Sequence, residues 1–400
     1  MSPASTWRAL DPRLLALACG AFVVTCDGTL VIGLLPQIAA SVGTTQPVAG
    51  SAVTVFALVY AVGGPVLLRT RRTVGGRAIL VGSMLCFALA NLATAAAPSL
   101  GALLLARGLA AGCAAAFMPT AAAAAAAMAP PDASARALSV VVAGASGAAV
   151  LGVPVGTWAG DALGWRTVFV VLAVVGGLTA LAIRLLPGAS LGAGTRGRDI
   201  TVDRRGAGLL LGTTLLWAVG SFACFTYIAA VLHRAAGVGP TGLAVLLLVF
   251  GVAGVLGTAA GGWVSDTVGP LIAARTALGL VTVALAGFGL ICLRHSPDGL
   301  TLAVTTAAVV VYATGTWMMT PAQQLRLLRY GGDQRLMLSL NASALYGGVA
   351  IGSAIGAQIL TGGLGVAVLC WVAAAVTMTA VVVTAFEGRR PAPPRSGRLG

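Results

Sequence analysis

The sequence contains no lysine and few charged residues of any kind. Asp, Glu, Lys and Arg together make up 8% of its 400 residues, whereas soluble domains carry about a quarter. Hydrophobic residues account for 58%, and the mean hydropathy is +0.99. Too few charged side chains are present to keep a chain of this length in water. The composition therefore excludes a soluble globular protein and indicates an integral membrane protein.

Acidic residues are scarcer than basic ones, which gives a net charge of +14 that arginine alone supplies. Such an excess can indicate nucleic-acid binding. Here, however, the arginines lie in short segments between apolar runs, and no aromatic side chains alternate with them to stack on bases. We therefore expect no nucleic-acid partner.

Groupings of residues that carry out catalysis are missing from the apolar runs. They hold no Ser/His/Asp or Cys/His arrangement, no paired carboxylates and no phosphate-binding loop. The seven cysteines form no CxxC pair, so neither a disulfide framework nor a metal site is expected. His233 and His295 are isolated. We expect no enzymatic activity, no metal and no cofactor.

Apolar stretches of roughly 20 residues recur along the chain, each long enough to cross a hydrocarbon layer of ~30 Å. The first is too long for the core of a signal peptide and has no small-residue cleavage site, so we predict that it is retained. The fold class is therefore an all-α integral membrane protein with twelve transmembrane helices. The predicted spans are 14–38, 48–68, 78–97, 100–122, 137–160, 166–186, 207–232, 241–264, 271–292, 300–320, 336–360 and 364–386.

The positions of the arginines predict the orientation. If the N-terminus is cytoplasmic, twenty arginines fall in cytoplasmic segments and three, namely Arg166, Arg234 and Arg294, fall outside. Short cytoplasmic loops carry an excess of basic residues. We therefore predict a multi-pass protein of the plasma (inner) membrane with both termini in the cytoplasm.

The chain divides into two similar halves. The longest polar stretch, 187–206, is a predicted cytoplasmic linker between N-terminal (1–186) and C-terminal (207–386) six-helix bundles, and 387–400 is a predicted cytoplasmic tail. A glycine stripe recurs after 196 positions: Gly152, Gly156 and Gly160 match Gly348, Gly352 and Gly356. Small residues let helices approach closely, and internal repeats are typical of transporters whose halves rock around a central site. We expect the stripe of span 5 to slide against a helix of the other half.

Two charged residues lie deep within apolar spans: Asp27 in span 1 and Arg107 in span 4. At 1.5 Å per residue, both fall ~20 Å from the inner face. A charge inside a membrane usually faces a partner or a water-filled cavity. Asp27 is a candidate proton carrier with Arg107 as its partner. The alternative is a static ion pair that holds spans 1 and 4 together.

Two further motifs involve glycine. In span 5, Gly152 and Gly156 flank Pro154, and a proline inside a helix removes a backbone hydrogen bond and favours a kink. At the end of span 8, residues 262–269 run from Gly262 through Asp266 to Gly269. The glycines permit a tight turn there, and Asp266 is placed to pair with a cytoplasmic arginine such as Arg275. An ordinary turn with a solvated Asp266 is the alternative.

Together these segments resemble the major facilitator superfamily, specifically its twelve-helix drug:proton antiporters of the arabinose and chloramphenicol efflux type. The resemblance covers nearly the whole chain, because six motifs follow in the family's order and spacing. They are Asp27-Gly28-Thr29 with the run Gly33 to Ala39, Gly152 to Gly156, Gly164 to Phe169, Phe225 to Ala229, Phe250 to Gly257 leading into Ser265-Asp266, and Ser339 to Ser343.

The resemblance implies two pseudo-symmetric six-helix bundles that give alternating access to a central cavity. By position, Asp27 would be the membrane-embedded acid, Arg107 the helix 4 arginine, and Gly152, Pro154 and Gly156 the antiporter motif, while 262–269 would be a cytoplasmic gate motif. One feature departs from the family. The loop between spans 2 and 3 normally carries a GxxxD motif, and here it holds arginines but no acid.

We predict a secondary active transporter that exports a small, hydrophobic compound, such as a drug, antibiotic or metabolite, in exchange for protons. It would act as a monomer in the lipid bilayer, driven by the proton gradient. A proton-coupled importer or sugar-type permease on the same fold is one alternative, and a non-transporting receptor or assembly protein is another. Placement on the helices makes the candidate cavity residues Phe22, Trp217, Phe222, Phe225, Tyr227, Asn341 and Tyr346.

Overall fold

The computed structural model describes residues 11–70, 75–129, 134–186, 204–293, 299–330 and 334–387. Within these ranges the chain is helical, and twelve segments are long and apolar enough to cross a membrane. The predicted twelve-helix fold is confirmed. Spans 1 to 12 comprise, in order, Pro12–Ser41; Gln46–Ala49 with Ser51–Thr70; Gly76–Ala96; Leu100–Met128; Ser134–Gly147, the π-helix Ala148–Gly152 and Val153–Leu163; Trp165–Leu185; Arg204–Phe225 with Ile228–Ala236; Pro240–Thr267; Pro270–Cys292; Gly299–Tyr330; Gln334–Thr361; and Gly365–Glu387.

Several helices extend beyond the apolar runs that predicted them. Span 10 was expected to end at residue 320 but continues to Tyr330, and span 4 continues to Met128. Helical hydrogen bonds persist where the chain becomes polar, so hydropathy locates the apolar section of a helix rather than its ends. Of the predicted linker, only residues 204–206 lie within the described residues, where they begin span 7. Of the predicted tail, only Glu387 does.

The first helix begins at a capping residue. Asp11 precedes Pro12, and its side chain accepts a hydrogen bond of 2.8 Å from the backbone N–H of Arg13. Such a cap satisfies a donor that the first turn of a helix leaves unpaired. The hydrogen bond from the Arg13 side chain holds the pKa of Asp11 below its usual value. This cap sets the first residue of span 1.

The glycine stripes join helices within each half. Positions 152, 156 and 160 of span 5 face Cys26, Leu30 and Leu34 of span 1. Positions 348, 352 and 356 of span 11 likewise face residues 215–227 of span 7. The stripe glycines of span 5 therefore face span 1 of their own half, whereas the sequence predicts that they face the other half. The stripe serves the close packing of spans 1 and 5, and the equivalent pair in the second half repeats this packing.

One set of contacts between the two halves lies at one end of the bundle. With twelve spans, Pro12 and Glu387 lie on one side of the bundle, which we term the terminal face; the other is the far face. Near the far face, the Tyr227 hydroxyl lies 2.9 Å from the carbonyl oxygen of Ser353 and 3.3 Å from that of Pro47. The Ser353 hydroxyl donates to the Gly50 carbonyl over 3.2 Å. A side chain at Gly50 would collide with the Tyr227 ring, so this position admits only glycine.

The accessible surface of spans 1 and 7 lies toward the terminal face. In span 1, Phe22, Thr25 and Thr29 are partly exposed at helical spacing, whereas every residue from 30 to 35 is buried. In span 7, Leu215 and Phe222 are partly exposed, and residues 223–228 are buried. The accessible surface of spans 1 and 7 thus ends at the level of residue 30, where the far-face contacts begin.

The packing of spans 1 and 5 predicts opposite effects for two glycines of one helix. A methyl group at Gly144 would press against the backbone of Ala18, whose carbonyl carbon is 2.8 Å away. At Gly156 the nearest atom is Leu30 Cβ at 3.5 Å, an ordinary contact. We expect Gly144→Ala to destabilise the protein by roughly 1–3 kcal/mol and Gly156→Ala to be neutral or stabilising. Thermal unfolding in detergent measures both, and equal melting temperatures for the two variants would contradict this packing.

Candidate functional site

A buried ion pair lies at the centre of the N-terminal half. Asp27 lies midway along span 1, and a guanidinium nitrogen of Arg107 donates to its Oδ1 over 2.5 Å. A second nitrogen donates to the backbone carbonyl of Asp27 over 2.9 Å. The side chains are 0% and 1% exposed. The structure thus brings together the two charges that the sequence placed at one depth.

Aromatic rings enclose this ion pair. The Arg107 guanidinium lies 4.5 Å from the centre of the Phe56 ring and 5.8 Å from that of Phe169, distances at which a cation is attracted to a ring face. Spans 1, 2, 4 and 6 therefore all contribute to the enclosure. In this state the pair has almost no exposed surface.

The pair retains capacity for a proton. Asp27 Oδ2 and Arg107 Nε are buried and have no hydrogen-bond partner among the described residues. A carboxylate can be neutralised by a proton, whereas a guanidinium stays charged. Protonation of Asp27 would remove the charge that compensates Arg107, so this arrangement can convert proton binding into a structural change. No cluster of His, Cys, Asp and Glu in the described part of the chain could hold a metal ion.

Span 2 connects the ion pair to the other half of the protein. Its Phe56 and Tyr60 rings lie 6.4 Å apart, and Tyr60 stacks on Tyr346 of span 11 with ring centres 3.9 Å apart. Nearby, the Ser343 hydroxyl donates to the carbonyl of Ala61 over 2.9 Å. A continuous series of side-chain contacts therefore runs from Arg107 to the C-terminal half.

The predicted distortion of span 5 takes the form of a π-helical turn. Residues Ala148–Gly152 form this turn immediately before Pro154, which lacks the N–H that a regular helix would use. Such turns are frequent at functional sites. Span 8 of the other half packs on this turn and on Val153–Leu163. Gly152 and Gly156 face span 1 instead, so the motif shapes both an internal and an inter-half contact.

The gate motif at the end of span 8 does not form the expected pair. Asp266 is exposed, and Arg275 instead donates to the Thr384 carbonyl over 2.7 Å. Gly262 lies within span 8, and Gly269 adopts φ +114° where span 9 begins. The tight turn is present, but Arg275 joins span 9 to span 12.

Beside the loop between spans 2 and 3, in the first turn of span 3, Arg77 donates to the carbonyls of Arg184 and Leu186, at 2.5 and 2.8 Å. These hydrogen bonds cap the end of span 6. Residues 71–74 of this loop lie outside the described residues.

The seven candidate cavity residues divide into two groups. Phe22, Phe222, Asn341 and Tyr346 are partly exposed. The other three are buried: Trp217 belongs to a cluster with residues of spans 9, 10 and 12, Phe225 stacks on Phe250, and Tyr227 forms the far-face contact. The sequence assigns a residue to a helix but does not determine which way its side chain points. This explains why some of the candidates are partly exposed and others are buried.

Sequence reasoning missed a polar cluster in the C-terminal half. Thr214, Gln323 and Arg326 are buried and hydrogen-bonded to one another. Arg326 was assigned to a loop because the apolar run of span 10 ends near residue 320. Helical spacing of three between Gln323 and Arg326 was the available signal.

Comparisons with known proteins give a consistent picture. A family profile described as Major Facilitator Superfamily matches residues 17–335. An uncharacterized MFS-type transporter of Bacillus subtilis, YbcL, is 27% identical over 390 residues, 95% of each chain. A chloramphenicol resistance protein of Streptomyces lividans is 30% identical over 357 residues, 84% of this chain and 86% of that protein. The crystal structure of a bacterial homolog to the human lysosomal transporter Spinster, inward-facing and occupied, aligns with a TM-score of 0.72 at 19% identity, covering 95% of this chain and 98% of that one.

The ion pair predicts an asymmetry between its two members. Asp27→Leu leaves a buried guanidinium that cannot lose its charge, so we expect a loss of about 3–5 kcal/mol in stability. Arg107→Met should cost less, because the remaining carboxyl can take up a proton. The double variant should be more stable than Asp27→Leu alone. Thermal unfolding of the purified variants tests this, and a double variant no more stable than Asp27→Leu would show that the charges are not coupled.

Proposed function

The chain belongs to the Major Facilitator Superfamily, and from this premise we propose that it exports a small, hydrophobic compound in exchange for protons. Its relatives are transporters and not enzymes. The observation that carries the proposal is the Asp27–Arg107 pair, a titratable carboxyl fully buried at mid-membrane and opposite an obligate cation. The similarity to a chloramphenicol resistance protein favours export.

In the proposed cycle, the structure represents the state that loads substrate. The cavity opens toward the terminal face while Tyr227, Gly50 and Ser353 close the far face. Asp27 is ionised and paired with Arg107. After the halves rearrange, a proton from the far side binds Asp27 and displaces substrate. Release of that proton on the terminal face restores the ion pair and resets the cavity.

Span 2 is the proposed mechanical link in this cycle. Phe56 lies on the Arg107 guanidinium, and Tyr60, one turn along, stacks on Tyr346. Loss of the ion pair would free Arg107 to move, and Phe56 would lose the cation it covers. Because Tyr60 contacts the opposite half, a shift of span 2 changes how the halves meet. The cross-half stack must break and re-form in each cycle.

We further propose that the terminal face is cytoplasmic. The motivation is the arginine distribution, twenty against three, since cytoplasmic loops hold the basic residues. The cavity would then open to the cytoplasm, where an exporter collects its substrate. The protein would lie in the inner membrane and function as a monomer.

The proposal predicts that Asp27→Asn separates proton coupling from substrate passage. The amide has nearly the same volume and keeps an oxygen for Arg107 but cannot titrate. Each pH unit supplies about 1.4 kcal/mol per proton, and this driving force should be lost. Substrate exchange should survive because the cavity residues are unchanged. In proteoliposomes, accumulation driven by a pH gradient and substrate counterflow are measured side by side over a panel of hydrophobic compounds.

The matched control is Asp161→Asn, which removes an exposed carboxyl at the far-face end of span 5 and should leave both activities intact. If Asp27→Asn still concentrates substrate under a pH difference alone, Asp27 is structural and the proposal is wrong. If substrate instead moves in the same direction as the protons, the protein is a proton-coupled importer. The absence of movement in the wild type would favour a receptor or assembly protein.

A further inference from the structure

Four polar side chains form a hydrogen-bonded chain through the C-terminal half. They are Arg326 and Gln323 of span 10, Thr214 of span 7 and Asn341 of span 11, hereafter the polar chain. Arg326, Gln323 and Thr214 are 6%, 2% and 1% exposed, whereas Asn341 is partly exposed. The polar chain therefore starts at a buried cation and reaches accessible surface at its last member.

The orientation of Gln323 is fixed from both sides. Its Oε1 accepts a hydrogen bond of 2.6 Å from Arg326, and its Nε2 donates to the Leu210 carbonyl over 2.8 Å. A rotated amide would place nitrogen against the guanidinium and oxygen against a carbonyl. The second N–H of Nε2 donates to the Thr214 hydroxyl over 2.9 Å. Thr214 therefore serves as an acceptor on this side.

Because the Thr214 oxygen accepts from Gln323, its own proton must be donated elsewhere. Asn341 Oδ1 lies 2.7 Å away, whereas the other acceptor, the Leu210 carbonyl, lies at 3.4 Å and already binds Gln323. The hydroxyl thus donates to Asn341. This fixes the amide of Asn341 with its oxygen toward Thr214, which leaves the NH₂ group to face the accessible side.

All donors in the polar chain point the same way, from Arg326 to Asn341. Hydrogen bonds in series polarise one another in a medium of low dielectric constant, and here a positive charge stands at the origin. The NH₂ group of Asn341 is therefore a strengthened and oriented donor. On spans 7 and 11, the partly exposed Leu215, Phe222 and Tyr346 offer apolar surface.

We propose that Asn341 binds an oxygen acceptor of the transported compound, so that substrates are neutral or anionic molecules with an apolar body and a carbonyl or similar oxygen. Few polar groups fixed in an apolar cavity are typical of small-molecule sites. A lipophilic cation without an oxygen acceptor meets only the positive end of the Asn341 N–H bonds, and it is excluded. This inference rests on the proposed function in taking the bound compound to be the exported one.

The test measures binding to the purified full-length protein in detergent by the ligand-induced shift in melting temperature. The probes are uncharged aromatic amides, esters and ketones, with chloramphenicol among the amides, each paired with an analogue that lacks the oxygen. Tetraphenylphosphonium is the cationic probe. We expect oxygen-bearing probes to bind, their analogues to bind more weakly, and the cation not to bind.

Asn341→Leu should weaken binding of the oxygen-bearing probes by roughly three- to tenfold, the worth of one hydrogen bond. The isosteric Asn341→Asp should abolish it and admit the cation. Thr214→Val releases the Asn341 amide and should cause a smaller loss. Thr282→Val is the matched control, because that hydroxyl donates to its own helix at Leu278; it should bind like the wild type.

The inference is overturned if no oxygen-bearing probe binds, if the analogues bind equally well, or if Asn341→Asp and Asn341→Leu both bind like the wild type. Transport driven by a pH gradient is measured on the same variants. If transport is driven by protons but does not depend on the acceptor oxygen of the substrate, this inference is wrong and the proposed function stands. A proton-independent wild type defeats the proposed function, whichever probes bind.

Discussion

The cost of a charge in the membrane interior constrains the N-terminal half. Arg107 cannot lose its proton, so at mid-membrane it requires an anion, oriented carbonyls or ring faces. Asp27, its backbone carbonyl, Phe56 and Phe169 provide all three. Four helices are held in register by this requirement. The arrangement depends on the ionisation of a single carboxyl, which makes it both a structural centre and a candidate switch.

Close packing joins the helices around this ion pair to the rest of the fold. Glycine brings span 5 against span 1, and its counterpart brings span 11 against span 7, so the helices of each half are closely packed. Between the halves, the contacts are the Tyr60–Tyr346 stack, the hydrogen bond from Ser343 to Ala61, the far-face hydrogen bonds from Tyr227 to Pro47 and from Ser353 to Gly50, and span 8 on the π-helical turn of span 5. Contacts that must break in the proposed transport cycle are thus concentrated on spans 2, 5, 7, 8 and 11.

The sequence alone predicted the twelve spans and the pairing of Asp27 with Arg107, because long apolar runs and isolated charges leave few alternatives in a membrane. It could not predict the directions of side chains. Trp217, Phe225 and Tyr227 are on the expected helix but pack away from the cavity, and Asp266 is exposed while Arg275 binds span 12. The sequence did not place Arg326 in span 10, because the hydropathy falls before the helix ends. Hydropathy records where a helix crosses the membrane, and only packing determines what each face meets.

The central claim, that protonation of Asp27 changes how the halves meet, is tested most directly without any substrate. Leu163 and Leu364, 66% and 61% exposed, lie at the far-face ends of the two halves and can carry spin labels on non-natural residues. Double electron–electron resonance then reports their separation as a function of pH. The account predicts that acid lengthens this distance in the wild type and leaves Asp27→Asn unchanged. The same pH-dependent change in Asp27→Asn, or none in the wild type, would contradict it.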